Sequence, residues 1–323
     1  MTGVSVGPRL HAGFQNLSLA RDRLYGGIGL AIDEPRLVLD ADRAETLVCS
    51  DRAVEPYARR AIEALDVPGA AITVSQRFDR HTGLGSGTRL ALAALVAIAD
   101  AYDRESAVRD RAPALGRGGR SGVGIATFLD GGFVIDGGHP TERFTHSPPE
   151  TGAWTTPPVV ARHDVPETWR FVLVTPAGET GRSDEREDES MRTAVERADP
   201  GIADEIAPLL TQRLLPAIAE GDRATFGAAI SRLGRLNGAW YADEQGGVYR
   251  PPAGQLIEHL SGVPAVDGVT QSSWGPTVYA ITGAERSDSV REAAVEALDA
   301  AGVDGTVRVV SPDNEGYRLE SGE

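Results

Sequence analysis

The chain has 323 residues, a net charge of −15 and one cysteine, Cys49. This length suits two domains, and a single cysteine excludes internal disulfides and cysteine-built zinc clusters. All 32 basic residues are arginine, so a P-loop lysine and a Schiff-base lysine are excluded, and the charge argues against binding to nucleic-acid backbones.

The composition predicts a cytoplasmic protein from a salt-loving cell. The N-terminus, MTGVSVGPRL, lacks the basic flank and apolar run of a secretory signal. The longest apolar run, residues 90–99, is about half as long as a membrane span. Salt screens the self-repulsion of an acidic chain, so a large negative charge without lysine favours a saline cytoplasm.

In the first half, short apolar segments near residues 14–19, 26–32, 36–39 and 46–49 predict strands. Helical spacing predicts a helix over 52–65, followed by a strand at 70–76 and a helix from about 87 to 102. The segment GVGIATFLDGGFVIDGG, residues 122–138, is interpreted as a β-hairpin with an Asp-Gly turn.

Proline-dense residues 140–168 are interpreted as the crossing between two domains, 1–160 and 161–323, with a strand at PVVAR. The second half alternates, and GRSDEREDES, residues 181–190, predicts an acidic loop or helix start. Helices are predicted near 188–197, 203–219, 223–239, 253–262 and 287–301, and strands at 171–176, 266–270, 276–282 and 306–310. The order of elements indicates an α+β fold without regular βαβ units.

The first glycine-rich turn, GLGSG, directly precedes the helix predicted after residue 87. A helix start offers free N–H groups and the positive end of the dipole, and glycines let an anion approach the backbone. The alternative is a tight turn capped by Thr88. The candidate phosphate ligands of this segment are Gly83, Gly85, Ser86, Gly87 and Thr88.

The second segment, GRGGRSGVG at 116–124, places two arginines among glycines. An arginine fork matches a phosphate or carboxylate. The alternative is a basic loop that offsets an acidic surface. The candidate ligands are Arg117, Gly118, Gly119, Arg120 and Ser121.

The third segment, GVTQSSWGPT at 268–277, joins two predicted strands. Ser272, Ser273 and Gly275 are candidate ligand contacts. Trp274 can stack on a ring, although a buried tryptophan is the more common outcome.

Carboxylates and histidines are the candidates for a metal and for proton transfer. Asp22, Asp136 and the acidic run 184–189 are the possible magnesium ligands, and Asp136 has the best position because it ends a predicted strand before two glycines. The six histidines have no metal-binding spacing. His81 and His139 lie beside glycine clusters and could transfer a proton, with a structural role as the alternative.

Taken together, HTGLGSG (81–87) and GVTQSSWGPTVYAIT (268–282) resemble the GHMP kinase superfamily. The resemblance implies an α+β, two-domain GHMP kinase-like fold. Its N-terminal α+β domain would have a mixed or antiparallel sheet, and its C-terminal domain would be a ferredoxin-like α/β sandwich.

A finer resemblance is to the β-ribofuranosylaminobenzene 5′-phosphate synthase family. It rests on HTGLGSGTRLALA, GRGGRSGVGIATFLDGGFVIDGG, GRSDERE, TQSSWGPTVYA and RLHAGFQNLS…YGGIGLAIDEP, and so covers nearly the whole chain. It implies that phosphoribosyl pyrophosphate is joined to 4-aminobenzoate or its hydroxy analogue, with release of CO₂ and pyrophosphate. The product would lead to methanopterin-type carriers.

That chemistry suggests roles for the candidate residues. Asp136 or a neighbouring residue would hold Mg²⁺ beside the leaving pyrophosphate, and Arg89, Arg117 or Arg120 would bind the acceptor carboxylate. We expect Arg120, Asp136 and His81 to be catalytic. The expected ligands are phosphoribosyl pyrophosphate and an aromatic carboxylate, with no nucleic acid and no membrane, and a homodimer is left open.

Two other functions could use a protein of this kind. An ATP-dependent small-molecule kinase would use the same fold, but Gly87, Thr88 and Arg89 stand where such kinases carry a hydroxyl and small residues. A non-catalytic binding protein would be favoured by loss of the glycines or arginines, and they are intact.

Overall fold

The computed structural model describes residues 2–145, 147, 149–178 and 184–321. Its strands are β1 (Thr2–Val6), β2 (Arg9–Asn16), β3 (Arg23–Ala31), β4 (Leu37–Arg43), β5 (Val48–Cys49), β6 (Ala70–Gln76), β7 (Phe133–Asp136), β8 (His139–Pro140), β9 (Val159–His163), β10 (Trp169–Pro176), β11 (Gly268–Gln271), β12 (Val278–Gly283), β13 (Gly305–Val310) and β14 (Arg318–Ser321). Its helices are α1 (Glu55–Leu65), α2 (Ser86–Ala101), α3 (Val108–Arg111), α4 (Val123–Leu129), α5 (Asp184–Arg197), α6 (Pro200–Leu209), α7 (Leu215–Glu220), α8 (Arg223–Trp240), α9 (Ala242–Gln245), α10 (Ala253–Ser261) and α11 (Ser287–Ala301). A π-helical turn, Leu210–Leu214, joins α6 to α7.

Two sheets form the first part of the molecule. One has the strand order β14-β1-β4-β6-β5, antiparallel except for the parallel β5–β6 pair, and the other has the order β2-β3-β7-β9, with β8 paired to β3. Helix α2 packs against β1, β4, α1 and α4. Residues 89–99 of α2 are all buried, because the helix is apolar on every side and is surrounded by these elements.

The second part is an antiparallel sheet of order β11-β12-β10-β13. Side chains alternate between its faces, so Val172 and Val174 pack with α10 and α11, whereas Phe171 and Leu173 join the main core that contains α8. This confirms the predicted two-domain α+β fold and its C-terminal sandwich.

Helix α8 also connects the second part to strand β2. The buried Asn237 side chain accepts a hydrogen bond from the Phe14 N–H at 2.6 Å and donates one to the Phe14 carbonyl at 3.1 Å. These bonds hold β2 at its bulge between His11 and Gly13, and β2 carries residues of the cavity described below.

The predicted hairpin at residues 122–138 is wrong in its first half. Residues 123–129 form helix α4, and the glycines at 131 and 132, both with positive φ, lead into β7. A short apolar run that is buried on all sides has no distinguishing period, so the sequence alone cannot separate helix from strand here. The short strands β1 and β14, which pair with each other, were not predicted.

The predicted helix at 203–219 is interrupted by the π-helical turn, and the predicted strand at 14–19 overlaps β2 only over residues 14–16. The other predicted elements are present with shifts of a few residues at their ends, and α11 spans the predicted residues 287–301. The boundary at residue 160 stays a prediction; β9 pairs with β7, and β14 pairs with β1. No helix in the described ranges is long and apolar enough to cross a membrane.

Candidate functional site

A cavity of about 560 Å³ lies where the three glycine-rich segments meet. Strand β2, the start of α2, the loop before α4 and the turn between β11 and β12 all contribute to its wall. Most of the predicted site residues line it, namely His81, Gly83, Gly85, Ser86, Gly87, Thr88, Arg117, Gly118, Gly119, Arg120, Ser121, Ser273 and Gly275.

The start of helix α2 faces this cavity with its backbone. Gly85 adopts the left-handed conformation (φ 77°) at the N-cap, and the first intrahelical bond runs from the Arg89 N–H to the Gly85 carbonyl at 3.2 Å. The N–H groups of the first turn therefore have no intrahelical acceptor. No side chain caps this helix, so the alternative role of Thr88 as a cap is not realised.

The Arg117 guanidinium lies beside that helix start. A Cβ added to Gly87 would be 3.3 Å from both Arg117 Nη atoms. The guanidinium carbon stacks 5.0 Å from the centre of the Tyr57 ring, and Arg117 Nε is buried without a hydrogen-bond partner among the described residues. The first two glycine-rich segments therefore lie side by side, and together a helix start and an arginine are suited to bind an anion.

The third segment packs backbone against backbone with the first. The Ser272 hydroxyl donates to the Gly83 carbonyl at 2.8 Å and accepts from the His11 N–H at 3.1 Å. A Cβ on Gly275 would lie far inside van der Waals contact of the Gly83 N. Ser272 is fully buried, so its predicted contact with substrate is wrong, and it instead joins the segments that carry Gly83 and His11.

Arg89 is also placed differently from the prediction. Its side chain is fully buried and donates to the Gly7 carbonyl (2.8 Å), the Gly124 carbonyl (2.5 Å) and the Thr127 hydroxyl (3.0 Å). Burial, helped by the positive charge of nearby Arg9, lowers the pKa of Arg89 to about 9. Arg89 therefore does not reach a substrate; it ties α2 to α4.

Asp136 lies behind the arginine loop and is not on the cavity wall. Its carboxylate is fully buried and accepts hydrogen bonds from the Ser121 hydroxyl (2.9 Å), the Gly122 N–H (2.7 Å) and the Gly138 N–H (2.8 Å). Burial raises the pKa of Asp136, and these bonds oppose that rise. With both oxygens engaged, this carboxylate holds the loop in place and does not fit the predicted magnesium ligand.

The other candidate metal ligands do not form a site in the part of the chain that the structure describes. Asp22 and Glu189 are exposed, and the side chains of the remaining residues in the acidic run, 184–188, lie outside the described set, as does His146. No group of three or more His, Cys, Asp or Glu residues within the described ranges could hold a metal ion.

Arginine dominates the wall of the cavity, and no described Asp or Glu lines it. Arg117 and Arg120 were predicted, whereas the five others were not. The seven lining arginines are Arg9, Arg60, Arg80, Arg117, Arg120, Arg143 and Arg192. A cationic cavity in a chain of net charge −15 selects anionic ligands.

Three histidines line the cavity: His11, His81 and His139. Burial lowers the pKa of His11 well below its ordinary value, and Arg9 and Arg120 lower it further. Burial likewise lowers the pKa of His139. Both rings are therefore neutral near pH 7. His11 was not predicted, although its position beside Arg9 in the segment RLHAGF was a usable signal.

Comparison with known proteins gives consistent results over most of the chain. The family models for the GHMP kinases N terminal domain and the GHMP kinases C terminal domain match residues 52–132 and 214–304. The β-ribofuranosylphenol 5′-phosphate synthase of Archaeoglobus fulgidus is 35% identical over 292 residues, 86% of this chain and 88% of the relative. The enzyme of the same name from Methanothermobacter thermautotrophicus is 31% identical over 309 residues, 90% and 91% of the two chains.

A solved structure supports the fold alone. Mevalonate diphosphate decarboxylase from Staphylococcus aureus superimposes with a TM-score of 0.68 at 13% identity, covering 99% of both chains.

Proposed function

Because the chain belongs to the β-ribofuranosylphenol 5′-phosphate synthase family within the GHMP kinase superfamily, we propose that it is a decarboxylating phosphoribosyltransferase. It joins the ribose of phosphoribosyl pyrophosphate to an aromatic acid and releases CO₂ and pyrophosphate. The product is a ribofuranosyl-arene 5′-phosphate that serves the biosynthesis of methanopterin-type carriers.

The observation that carries this proposal is the arginine-lined cavity without a described carboxylate. All the reactants are anions: the donor has a pyrophosphate and a 5′-phosphate, and the acceptor has a carboxylate. The start of α2 with Arg117 suits one phosphate group. Arg9 and Arg120, which both act electrostatically on His11, suit a second anion.

The bonds broken and formed in the proposed reaction balance. The C1–oxygen bond of the donor breaks, and its electron pair leaves with pyrophosphate, so that C1 becomes cation-like. The ring carbon that bears the carboxylate bonds to C1, and the bond to the carboxylate then breaks, returning its electron pair to the ring. Arginines around the leaving group stabilise the negative charge that develops on pyrophosphate.

The acceptor follows from the relatives' names. Those names specify a phenol product, so the acid that loses CO₂ would be a hydroxybenzoate, and a hydroxyl in the para position donates electrons to the ring carbon that bears the carboxylate. 4-Aminobenzoate would react in the same way, because its amino group also donates electrons to the ring carbon opposite. We therefore propose 4-hydroxybenzoate as the acceptor, with 4-aminobenzoate as the alternative.

In the proposed reaction, Mg²⁺ is only the counter-ion that accompanies the pyrophosphate group from solution. Asp136 does not fit a ligand for it, and the steps assigned to the chain's own residues do not pass through a metal.

The test is a release assay in high salt with Mg²⁺. The protein is given carboxyl-labelled 4-hydroxybenzoate with phosphoribosyl pyrophosphate, and ATP replaces the donor in a parallel tube. We expect labelled CO₂ and pyrophosphate only with the sugar donor. Turnover of ATP without CO₂ release would instead favour the kinase, a function carried by a more distant relative, the 27% identical homoserine kinase of Methanopyrus kandleri.

Arg120→Ala tests the anion site within that assay. Arg120 lines the cavity, so its loss should lower kcat/KM about 100-fold or more, because a preorganised charge at the reacting groups is removed. Arg291→Ala is the matched control, since Arg291 lies on the surface near Asp288. Near-normal activity of a folded Arg120→Ala protein would contradict the assignment.

A further inference from the structure

His139 is held in one tautomer by the arginine loop. Its Nε2 lies 3.0 Å from the Gly118 carbonyl oxygen. A carbonyl only accepts hydrogen bonds, so Nε2 carries the hydrogen, and the lone pair of the neutral ring is on Nδ1. No hydrogen bond joins Nδ1 to any residue in the described ranges.

The backbone around His139 is equally constrained. Gly138, at φ 60°, donates its N–H to Asp136, and Asp136 also accepts from the loop that carries Gly118. The Tyr25 ring lies edge-on to the imidazole, with 6.5 Å between ring centres. The imidazole is 7% exposed and lines the cavity. These contacts orient an imidazole that lines the cavity and whose Nδ1 has no hydrogen-bond partner within the described ranges.

Rings continue from His139 along the same wall. Tyr25 lies 5.8 Å from Phe14, and Phe14 lies 4.9 Å from His11, and all four rings line the cavity. His11, at the far end of this row, is close enough to Arg9 and Arg120 to feel their charge. The four rings, tilted to one another, form an aromatic wall of the cavity, with cations near His11 and a hydrogen-bond acceptor at His139, which suits an aromatic ligand that carries a carboxylate and a hydroxyl.

The charge state of His139 agrees with this geometry. Burial lowers its pKa, and the positive charges of Arg143 and Arg23 lower it further, although the bond to Gly118 acts in the opposite direction. Arg143, Arg23 and the Tyr25 hydroxyphenyl group are the charged or titratable groups that face it. The ring is thus a proton acceptor when substrate binds.

We propose that Nδ1 of His139 is the general base that takes the proton from the para hydroxyl of the aromatic acceptor. This inference rests on the proposed transferase function. As the ring carbon bonds to C1, the hydroxyl becomes part of a protonated carbonyl, which is a strong acid, so a weakly basic imidazole can accept its proton. When the carboxylate leaves as CO₂, the electron pair returns to the ring, and His139 gives the proton back to the phenol oxygen.

His139→Gln separates this role from a structural one. The glutamine amide can still donate to the Gly118 carbonyl, but its side chain is not a base. The acceptors are 4-hydroxybenzoate and 3,5-difluoro-4-hydroxybenzoate, whose more acidic phenol is largely ionised at mildly alkaline pH. The matched control is His259→Gln, on the exposed side of α10.

We expect His139→Gln to lower kcat for 4-hydroxybenzoate about 100-fold, with a much smaller loss for the difluoro acid, each relative to the wild type with the same acid. Rescue by an ionised substrate is not expected of a variant that has only lost structure. An equal loss with both acids, or no loss with either, would overturn the assignment.

If His139→Gln does not fold, His139→Asn is measured in its place with the same expectation. A wild-type protein that releases no CO₂ from either acid or from 4-aminobenzoate would overturn the transferase itself, and release from 4-aminobenzoate alone would overturn the role of His139 toward a hydroxyl. A wild type that releases CO₂ from the hydroxy acids, together with a variant that shows no rescue, would overturn only the role of His139.

Discussion

At the residue scale, residues of the same type have two different roles: some line the cavity, and others are buried behind it and hold its walls in place. Arg117 and Arg120 line the cavity, whereas Arg89, one turn into the helix, is fully buried and donates to two carbonyls and a hydroxyl. An arginine whose guanidinium donates to protein acceptors on every nitrogen can hold a site in place, but it cannot offer paired N–H groups to a ligand. The number of polar partners, and not the residue type, decides which task a residue performs.

Asp136→Asn tests the positioning role of that carboxylate. The carboxylate now accepts hydrogen bonds from a hydroxyl and two N–H groups. An amide has only one acceptor oxygen, and its NH₂ group would face at least one of these donors without forming a hydrogen bond. We expect the free energy of unfolding to fall by about 2–3 kcal/mol and kcat/KM to fall with it, as measured by urea unfolding and the release assay. The Mg²⁺ concentration needed for half-maximal activity should stay the same; an increase would reinstate Asp136 as a metal ligand.

His11 should make the protein less stable in mild acid. Burial lowers the pKa of His11 below its ordinary value of 6.5, so below about pH 6.5 the unfolded chain binds a proton that the folded chain does not. The stability that His11 contributes is complete above that pH. It is lost as pH falls toward the folded pKa, by up to about 1.4 kcal/mol per pH unit.

Urea unfolding at a series of pH values measures this slope. His11→Gln should flatten it, whereas His259→Gln, at an exposed position of α10, should leave it as in the wild type. A wild-type stability that does not change between about pH 7 and pH 5 would contradict the burial of a neutral His11.

At the element scale, two short turns that are far apart in the sequence pack against each other: the turn at Gly83 and the turn between β11 and β12. Ser272 bonds the carbonyl of Gly83, and Gly83 and Gly275 approach so closely that neither has room for a side chain. Gly83 also has a φ of 91°, which other residues rarely adopt. The helix start that faces the cavity is therefore positioned by a turn of the C-terminal part of the chain.

Gly275→Ala should break this contact. Its new Cβ would overlap the backbone of Gly83, and backbone cannot move aside as a flexible side chain does. We expect the free energy of unfolding to fall by about 3 kcal/mol and transferase activity to be lost, as measured by urea unfolding and CO₂ release.

Gly254→Ala is the matched control, because its Cβ would meet only the Tyr249 Cβ at 3.9 Å within helix α10. Alanine favours a helix by about 1 kcal/mol over glycine, so this variant should be at least as stable as the wild type. Full activity of Gly275→Ala would mean that the two turns can separate without harm to the site.

At the scale of the whole molecule, an acidic chain encloses a cationic cavity. The net charge is −15, yet seven arginines and no described carboxylate line the cavity. Like charges spread over the molecule repel one another at low ionic strength, while the field inside the cavity attracts anionic substrates. Salt screens both effects. It stabilises the fold because it reduces the self-repulsion, and it weakens the attraction of anionic substrates to the cavity.

The melting temperature should therefore rise from low salt to molar KCl by on the order of 5 °C, equivalent to about 1–2 kcal/mol. The double variant Glu292→Gln and Glu296→Gln removes two exposed charges from α11 and should reduce that dependence. Scanning calorimetry at a series of KCl concentrations measures both. A melting temperature that does not respond to salt would contradict self-repulsion as a significant cost.

The helices, the strands and the glycine turn at 83–87 were predictable because each depends on neighbours in sequence. Periodicity predicted α11 at its full length, and the glycines before α2 predicted an anion-binding turn that the structure places on the cavity wall. The helix α4 was missed because a run buried on every side has no period.

The sequence by itself thus determined the two-domain α+β fold, the family and the glycine-rich segments of the site. Only the tertiary structure decided which polar side chains face the cavity. Arg9, Arg60 and Arg192 reach it from distant segments, whereas Arg89 and Asp136 turn away from it to satisfy buried partners. The physical reason is that burial and hydrogen-bond partners come from residues far apart in the chain, and no local pattern records them.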